Sequence, residues 1–237
     1  MMHMKAGGDK LIRISPSLLA ANVLQLGDEI SAAAAGGPDL FHCDIMDGSF
    51  VPTISFGYEI VSVVKDHAHI PLDIHLMVVD PDAQVDLFAR LNPEIITFHV
   101  EAVSSPSSLI DKIHNLGIRA GVSIKPESPI EPLLELLPSL DLILVMTVEP
   151  GAGGQPFMVE MLPKVAALSA AIREGGHSVM LEVDGGINAE TVAAAARAGA
   201  DTFVAGTAIF RHLHGPAAAI SELREIALRV AIDDSAT

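Results

Sequence analysis

Leu142-Ile143-Leu144-Val145-Met146-Thr147-Val148-Glu149-Pro150-Gly151-Ala152-Gly153-Gly154-Gln155-Pro156 is the stretch on which the fold turns. Leu142–Val148 is an apolar, β-branched run of strand length, and the Pro/Gly-rich residues after it end the strand. Val159–Arg173 follows with helical spacing, and Val179–Val183 is a second strand-like run. Two strands separated by a helix make a βαβ unit, whose strands run parallel.

The same alternation extends outward in both directions. Further strands are predicted at Leu11–Ser15, Leu40–Ile45, Leu72–Met77, Ile95–Val100, Arg119–Ile124 and Thr202–Ala205. Helical patterns such as Val23–Ala35, Ala83–Leu91, Ser107–Leu116 and Ala189–Ala198 lie between them, and Ala217–Val230 closes the chain. Gly36-Gly37-Pro38, Gly117, Gly175-Gly176 and Gly199 stand where helices should stop, and Asn188 with Glu190 and Thr191 reads as a capped helix start. No linker or charge block divides the chain. Residues 11–231 are therefore expected to form one domain, after a disordered or expression-derived segment 1–10 and before a tail at 232–237. Eight strand–helix pairs in 237 residues predict a single (β/α)₈ TIM barrel. An open doubly wound sheet is the competitor, and eight repeats with nothing left over favour closure.

Composition narrows the function classes. The chain is 50% apolar and 19% charged with mean hydropathy +0.44, which excludes global disorder. Thirty acidic residues against 14 Lys and Arg give a formal charge of −16, a field that repels nucleic acid and anionic lipid. One cysteine, Cys43, allows no intrachain disulfide and fits a reducing, cytoplasmic compartment. No apolar stretch reaches the ~18 residues of a spanning helix, and Met1–Lys10 lacks the apolar core of a secretion signal.

In such a barrel the chemistry belongs to the loops at the carboxyl ends of the strands. Strand side chains alternate faces, so His42, Asp44 and Met46 share one face, and Asp73, His75 and Met77 share another. Asp184 stands at the rim before Gly185-Gly186. Two imidazoles and two carboxylates from three strand ends suit one divalent Zn, Fe(II), Mn or Co ion. A hydrogen-bonded structural role is the alternative for each of them. Met46, Met77 and Met146 also fall at strand ends, where methionine can be simple filler. Gly151, Gly153, Gly154, Gly185, Gly186 and Gly206 populate the loops after the last three strands. Glycine lets a backbone approach an anion closely, so these loops are candidates for holding a phosphate, or else only tight turns. Lys125 after the fifth strand could form a Schiff base or be an exposed loop lysine. His99 and Glu101 share a face on the fourth strand and read as structural or as supports for the site.

Seven segments in order resemble the ribulose-phosphate 3-epimerase family. They are Ser15-Pro16-Ser17-Leu18-Leu19, His42-x-Asp44-x-Met46-Asp47-Gly48, Phe50-Val51-Pro52, His75-Leu76-Met77-Val78, Val145 to Gly151, Gly153-Gly154-Gln155, and Glu182-Val183-Asp184-Gly185-Gly186-Ile187. The resemblance implies a metal-dependent epimerase that interconverts D-ribulose 5-phosphate and D-xylulose 5-phosphate without an organic cofactor, and a homo-oligomer. It implies His42, Asp44, His75 and Asp184 as metal ligands and Asp44 and Asp184 as the acid–base pair. It further implies substrate contacts from Ser17, His75, Met46, Met77, Met146, Gly151, Ala152, Gly153, Gly154, Gly185, Gly186, Gly206 and Thr207.

That assignment makes chemical sense. Inversion next to a carbonyl takes a proton from one face and returns one to the other, which two carboxylates can do. The cis-enediolate between them needs a cation to bear its charge. Methionine sulfur is aprotic and can flank that species without quenching it. Ser49 stands where the family often has His, Thr53 where it has Asn, and Ala152 where an aromatic residue is usual. A smaller residue at 152 leaves room for D-allulose 6-phosphate as the alternative substrate, whereas Phe98-His99-Val100-Glu101-Ala102 is closer to the pentulose enzymes. A Schiff-base aldolase using Lys125 and a non-catalytic sugar-phosphate-binding protein are the remaining alternatives.

Overall fold

A computed structural model describes residues 11–233. The segment 1–10 expected to be disordered or expression-derived, and residues 234–237 of the expected tail, lie outside them. Eight strands alternate with helices. The strands are β1 (Arg13–Pro16), β2 (Phe41–Met46), β3 (Leu72–Met77), β4 (Ile95–His99), β5 (Arg119–Ile124), β6 (Leu142–Met146), β7 (Met180–Asp184) and β8 (Thr202–Ala205). The helices are α1 (Leu26–Ala34), α2 (Tyr58–Ala68), α3 (Pro81–Phe88), α4 (Pro106–Asn115), α5 (Glu131–Leu136), α6 (Leu162–Glu174), α7 (Thr191–Arg197), α8 (Thr207–Phe210) and α9 (Pro216–Asp233).

All strand pairs are parallel, in the order β1-β8-β7-β6-β5-β4-β3-β2. A single parallel bridge, Ser17 to His42, joins the two ends of that order. The sheet is thus a barrel whose seam lies between β1 and β2, as the eightfold alternation predicts. Among the described residues no helix is long and apolar enough to cross a membrane.

Local chemistry explains where elements stop. The Asp80 carboxylate accepts the Ala83 amide at 3.2 Å, and Pro81 in the first turn of α3 needs no partner for a missing N–H. The Asn188 carboxamide accepts the Glu190 and Thr191 amides at 2.9 and 3.1 Å, as its place before α7 suggests. Gly117, with φ +76°, takes the left-handed conformation that ends α4. Several boundaries differ from the periodicity. Val23–Gln25 is a 3₁₀ turn rather than the start of α1, and Val159–Met161 is another, before α6, whose first turn contains Pro163. β7 extends to Asp184, because Asp184 still pairs with Met146 and Val204. The last helix continues to Asp233, two residues past the expected domain end.

The core has two parts. Outward-facing strand residues such as Ile74, Phe98, Val122, Val145 and Phe203 pack beneath the helices. Inside the barrel, Leu40, Ile95, Leu142, Leu144 and Met180 form a smaller apolar cluster. The rest of the interior is polar: His42, Asp73, His75, Thr97, His99, Ser123, Glu182 and Thr202 are all fully buried. Branched apolar layers are the usual filling of such a barrel, and each buried polar group costs free energy unless it is paired. Polar residues concentrated on the inward face therefore mark where the site lies.

Candidate active site

β2, β3 and β7 deliver the four polar side chains singled out at their ends. Asp44 is paired with His75 in the β2–β3 ladder, and His42 lies two residues before Asp44 on the same face. The loop after β2 is fixed by Asp47, whose carboxylate accepts the amides of Ser49, Phe50 and Val79 at 2.8, 2.9 and 2.8 Å. After β6, Thr147 Oγ1 donates to the carbonyls of Asp184 and Gly185 at 2.9 and 2.7 Å, tying two of the glycine loops together.

The geometry brings His42, Asp44, His75 and Asp184 into one cluster, with one donor atom from each lying within 4.8 Å of the others. His42 Nε2 is 3.3 Å from His75 Nδ1 and 3.3 Å from Asp44 Oδ1, and His75 Nδ1 is 3.3 Å from the same oxygen. Asp184 Oδ2 stands 3.9 and 4.0 Å from the two imidazoles. Ligands bound at about 2.0–2.1 Å around a tetrahedral ion are separated by about 3.3–3.4 Å. Three edges already have that length, and a small movement of Asp184 would close the rest. Asp73 Oδ2 takes His42 Nδ1 at 2.6 Å, which leaves Nε2 as the lone pair facing the cluster. These residues fit one divalent cation.

The electrostatics separate the two carboxylates. Burial raises Asp44, but the charge of His42 and hydrogen bonds from His42 and His75 outweigh it and hold the group well below its ordinary range. Burial, followed by the negative charge of Asp44, pushes Asp184 up to about 7. His42 is raised because Asp73 and Asp44 overcome the opposing effect of its burial, whereas burial leaves His75 lowered. Metal-free, the site therefore holds an ionised Asp44 facing an Asp184 that keeps its proton up to about neutral pH.

Above the cluster opens a cavity of about 340 Å³. Ser17, Asp44, Met46, Met77, Met146 and Asp184 line it, with Gly151, Ala152, Gly153, Gly154, Gly185, Gly186, Gly206 and Thr207. Every predicted contact residue except His75 thus faces the cavity. His75 and His42 are fully buried and lie beneath it. Among the described residues no Lys or Arg lines the cavity, so an anion there would be met by backbone amides, hydroxyls and the carboxamides of Gln155 and Asn188. Gly186 explains itself sterically: its φ is +67°, and an added Cβ would sit 2.4 Å from the Phe157 amide nitrogen.

Lys125 does not line the cavity; its Nζ lies over the Phe50 ring, 4.0 Å from the centroid. That removes the geometric basis for a Schiff base in this pocket. Alternation places Asp73 on the face of His75 without giving it a role, and it does not single out Glu182. Burial, then the charge of Asp73, raises Glu182 well above its ordinary value. Both Glu182 oxygens and Asp73 Oδ1 lack a donor, and a proton on Glu182 directed at Asp73 would satisfy one oxygen of each. The available signal was spacing: Asp73 and Glu182 each stand two residues before a predicted ligand, on the same inward face. Phe157, Asn188 and Leu19 also line the cavity, and only the fold brings those loops to it.

A parallel barrel that gathers two imidazoles and two carboxylates at its strand ends, under a glycine-lined cavity, defines a (β/α)₈ enzyme with a site suited to one cation. Comparison with known proteins narrows that class. The ribulose-phosphate 3 epimerase family profile matches residues 13–210. A ribulose-phosphate 3-epimerase of Mycobacterium tuberculosis (strain ATCC 25618 / H37Rv) is 44% identical over 211 residues, covering 89% of this chain and 91% of that protein. One of Bacillus subtilis (strain 168) is 40% identical over 215 residues, covering 90% and 99%. Among solved structures, 3-keto-L-gulonate-6-phosphate decarboxylase from Vibrio cholerae O1 superposes with TM-score 0.70 at 17% identity, covering 93% of this chain and 99% of that one. At that identity the likeness speaks for the fold alone. The chain belongs to the ribulose-phosphate 3-epimerase family, and it is an enzyme of that family.

Proposed function

We propose that the protein interconverts D-ribulose 5-phosphate and D-xylulose 5-phosphate by two-base proton transfer at C3. The observation that carries the reading is the pair of carboxylates Asp44 and Asp184, delivered by β2 and β7 to a single methionine-lined cavity. An ionised Asp44 accepts the C3 proton, and the C–H electron pair becomes a C2=C3 double bond as negative charge gathers on the C2 oxygen. Asp184 then delivers its proton to the opposite face of C3, and the carbonyl reforms. The reverse reaction starts from the complementary protonation, with Asp184 ionised.

His42, Asp44, His75 and Asp184 would hold the cation, of the Zn, Fe(II), Mn or Co kind, which supplies Lewis-acid stabilisation of the charge on oxygen. Asp44 can serve two purposes because its oxygens point differently: Oδ1 faces the imidazoles while Oδ2 accepts Ser17 Oγ at 2.7 Å. Met46, Met77 and Met146 present sulfur and methylene groups, which exclude water and offer no competing proton. The loops at Gly151–Gly154, Gly185-Gly186 and Gly206-Thr207 would take the phosphate.

Proton NMR of D-ribulose 5-phosphate in D₂O tests this directly. Loss of the C3 proton signal with xylulose 5-phosphate appearing, stopped by a chelator and restored by metal, is the expected result. Ala152 in the cavity wall, where the family usually has an aromatic residue, favours D-allulose 6-phosphate as the second substrate to try. No exchange with either sugar by metal-loaded protein would sink the reading.

A further inference from the structure

The glycine loop after β7 is held from behind by a buried hydroxyl. Met146 and Val148 line the cavity, whereas Thr147 between them faces the other way, is fully buried and lies outside the lining. Its Oγ1 stands 2.7 Å from the Gly185 carbonyl and 2.9 Å from that of Asp184. The Asp184 carbonyl already accepts the Thr147 amide at 2.8 Å, so the single hydroxyl proton goes chiefly to Gly185. A carbonyl only accepts, so the sense of this bond depends on no protonation state. The Gly186 carbonyl in turn accepts Thr191 Oγ1 at 2.9 Å. The carbonyls of Asp184, Gly185 and Gly186 are thus each held by a donor.

The peptide bonds of the described residues are trans, and in a planar trans peptide the N–H points opposite to the C=O. A Gly185 carbonyl directed at Thr147, behind the wall, therefore turns the Gly186 N–H to the cavity side. Among the described residues no group accepts that amide. The plane lies between two glycines with φ +122° and +67°, and without a Cβ on either side the backbone itself hardly prevents it from turning over. Turned over, it would present a carbonyl oxygen to the cavity. Such an oxygen repels an anion, and no Lys or Arg among the described residues lines the cavity to offset it. The Thr147 hydroxyl selects the orientation that attracts one.

We propose that Thr147 is a positioning residue, whose hydroxyl fixes the Gly185–Gly186 peptide plane so that the Gly186 N–H is presented to the phosphate group of the substrate. It acts through the backbone and touches no part of the substrate itself. A preset N–H dipole needs no rearrangement when the anion arrives, which is how an acidic protein can hold a phosphate ester without a basic side chain. This inference rests on the reading of the glycine loops as the phosphate site.

Titration with inorganic phosphate, followed in ¹H–¹⁵N spectra of the whole chain labelled with ¹⁵N-glycine, tests this. In the wild-type protein phosphate is expected to move the Gly186 amide proton downfield. Thr147→Val keeps the shape and removes the hydroxyl; it is expected to weaken phosphate about tenfold and to leave the Gly186 amide nearly unmoved at saturation. Thr147→Ser returns the hydroxyl and is expected to restore both. Zn²⁺ affinity, measured by competition with a chromophoric chelator, is expected to stay unchanged in Thr147→Val, because the Asp184 carbonyl keeps the Thr147 amide. Wild-type protein in which phosphate moves no loop glycine would overturn the phosphate-loop reading and this inference with it. Three results overturn the role of Thr147 alone: phosphate that moves other loop glycines but not Gly186, a folded Thr147→Val with wild-type phosphate affinity and Gly186 shift, or a loss that Thr147→Ser fails to restore. Loss of Zn²⁺ and phosphate together in Thr147→Val would make the residue a general brace and also overturn it. If Thr147→Val does not fold, Thr147→Ala removes the same hydroxyl, and the wild-type Gly186 shift still decides.

Discussion

Ser17 Oγ donates to Asp44 Oδ2 across 2.7 Å, and this bond joins β1 to β2 at the seam where the barrel closes. One hydroxyl thereby orients a carboxylate of the site and helps hold the ring shut. A hydrogen bond to a buried charge contributes about 1.5–3 kcal/mol. Ser17→Ala is therefore expected to lower the melting temperature by about 5 °C and kcat by about tenfold. Calorimetry and steady-state kinetics check both; a variant with unchanged kcat would show that Asp44 needs no such orientation.

Asp184 is held up at about 7 by burial and by Asp44, against 3.8 for the ordinary group. A carboxyl whose folded pKa is raised binds more protons folded than unfolded between those two values. Metal-free stability should therefore fall as pH rises from about 4 to 7. Asp184→Asn removes this liability along with the acid–base group. It is expected to melt several degrees higher than wild type when metal-free at about pH 8, while turnover drops by about 10³-fold or more. Near-normal turnover would refute the two-base scheme, and an unchanged melting temperature would refute the electrostatic account of the site.

Metal binding should displace protons, because a His42 raised by Asp73 and Asp44 must give up its extra proton to act as a ligand, and a cation beside Asp184 lowers a pKa that burial had raised. Apparent Zn²⁺ affinity is expected to rise with pH between about 6 and 8, with proton release visible in calorimetry as a dependence of the heat on buffer. An affinity that does not change over this range would place the ion elsewhere.

Gly186 and Gly117 separate cavity shape from backbone strain. Both have positive φ, +67° and +76°, yet a Cβ at Gly186 would strike Phe157 while one at Gly117 meets nothing within 4 Å. Alanine at either position costs about 1 kcal/mol in backbone strain. Only Gly186→Ala must also shift the loop over the cavity. It is expected to raise KM about tenfold or more, with Gly117→Ala leaving KM unchanged. Equal KM values in the two variants would remove Gly186 from the phosphate loops.

Much was legible in the sequence because strand and helix periods are local. The eight alternations, the helix-ending glycines and the placing of His42, Asp44 and His75 on inward faces follow from alternation along each strand, with no knowledge of neighbours. Asp184 was legible because it precedes Gly185-Gly186. Boundaries were less so: the 3₁₀ turn at Val23–Gln25 and the last residue of β7 are set by capping and by pairing across the sheet.

Tertiary structure alone decided what lies opposite what. The Ser17–His42 bridge closes the ring, and closure puts the strand ends within a few ångströms of one another. Asp73 and Glu182 become meaningful only then, when two carboxyl groups more than a hundred residues apart share the interior behind His42. The contact of Thr147 with the Gly185 carbonyl is likewise a product of register: β6 sets Met146 beside Asp184, and the next residue of each strand brings the two together. Sequence determines which side chains point inward. Burial and distance, which exist only after the barrel closes, determine which of them carry protons and which can grip an ion.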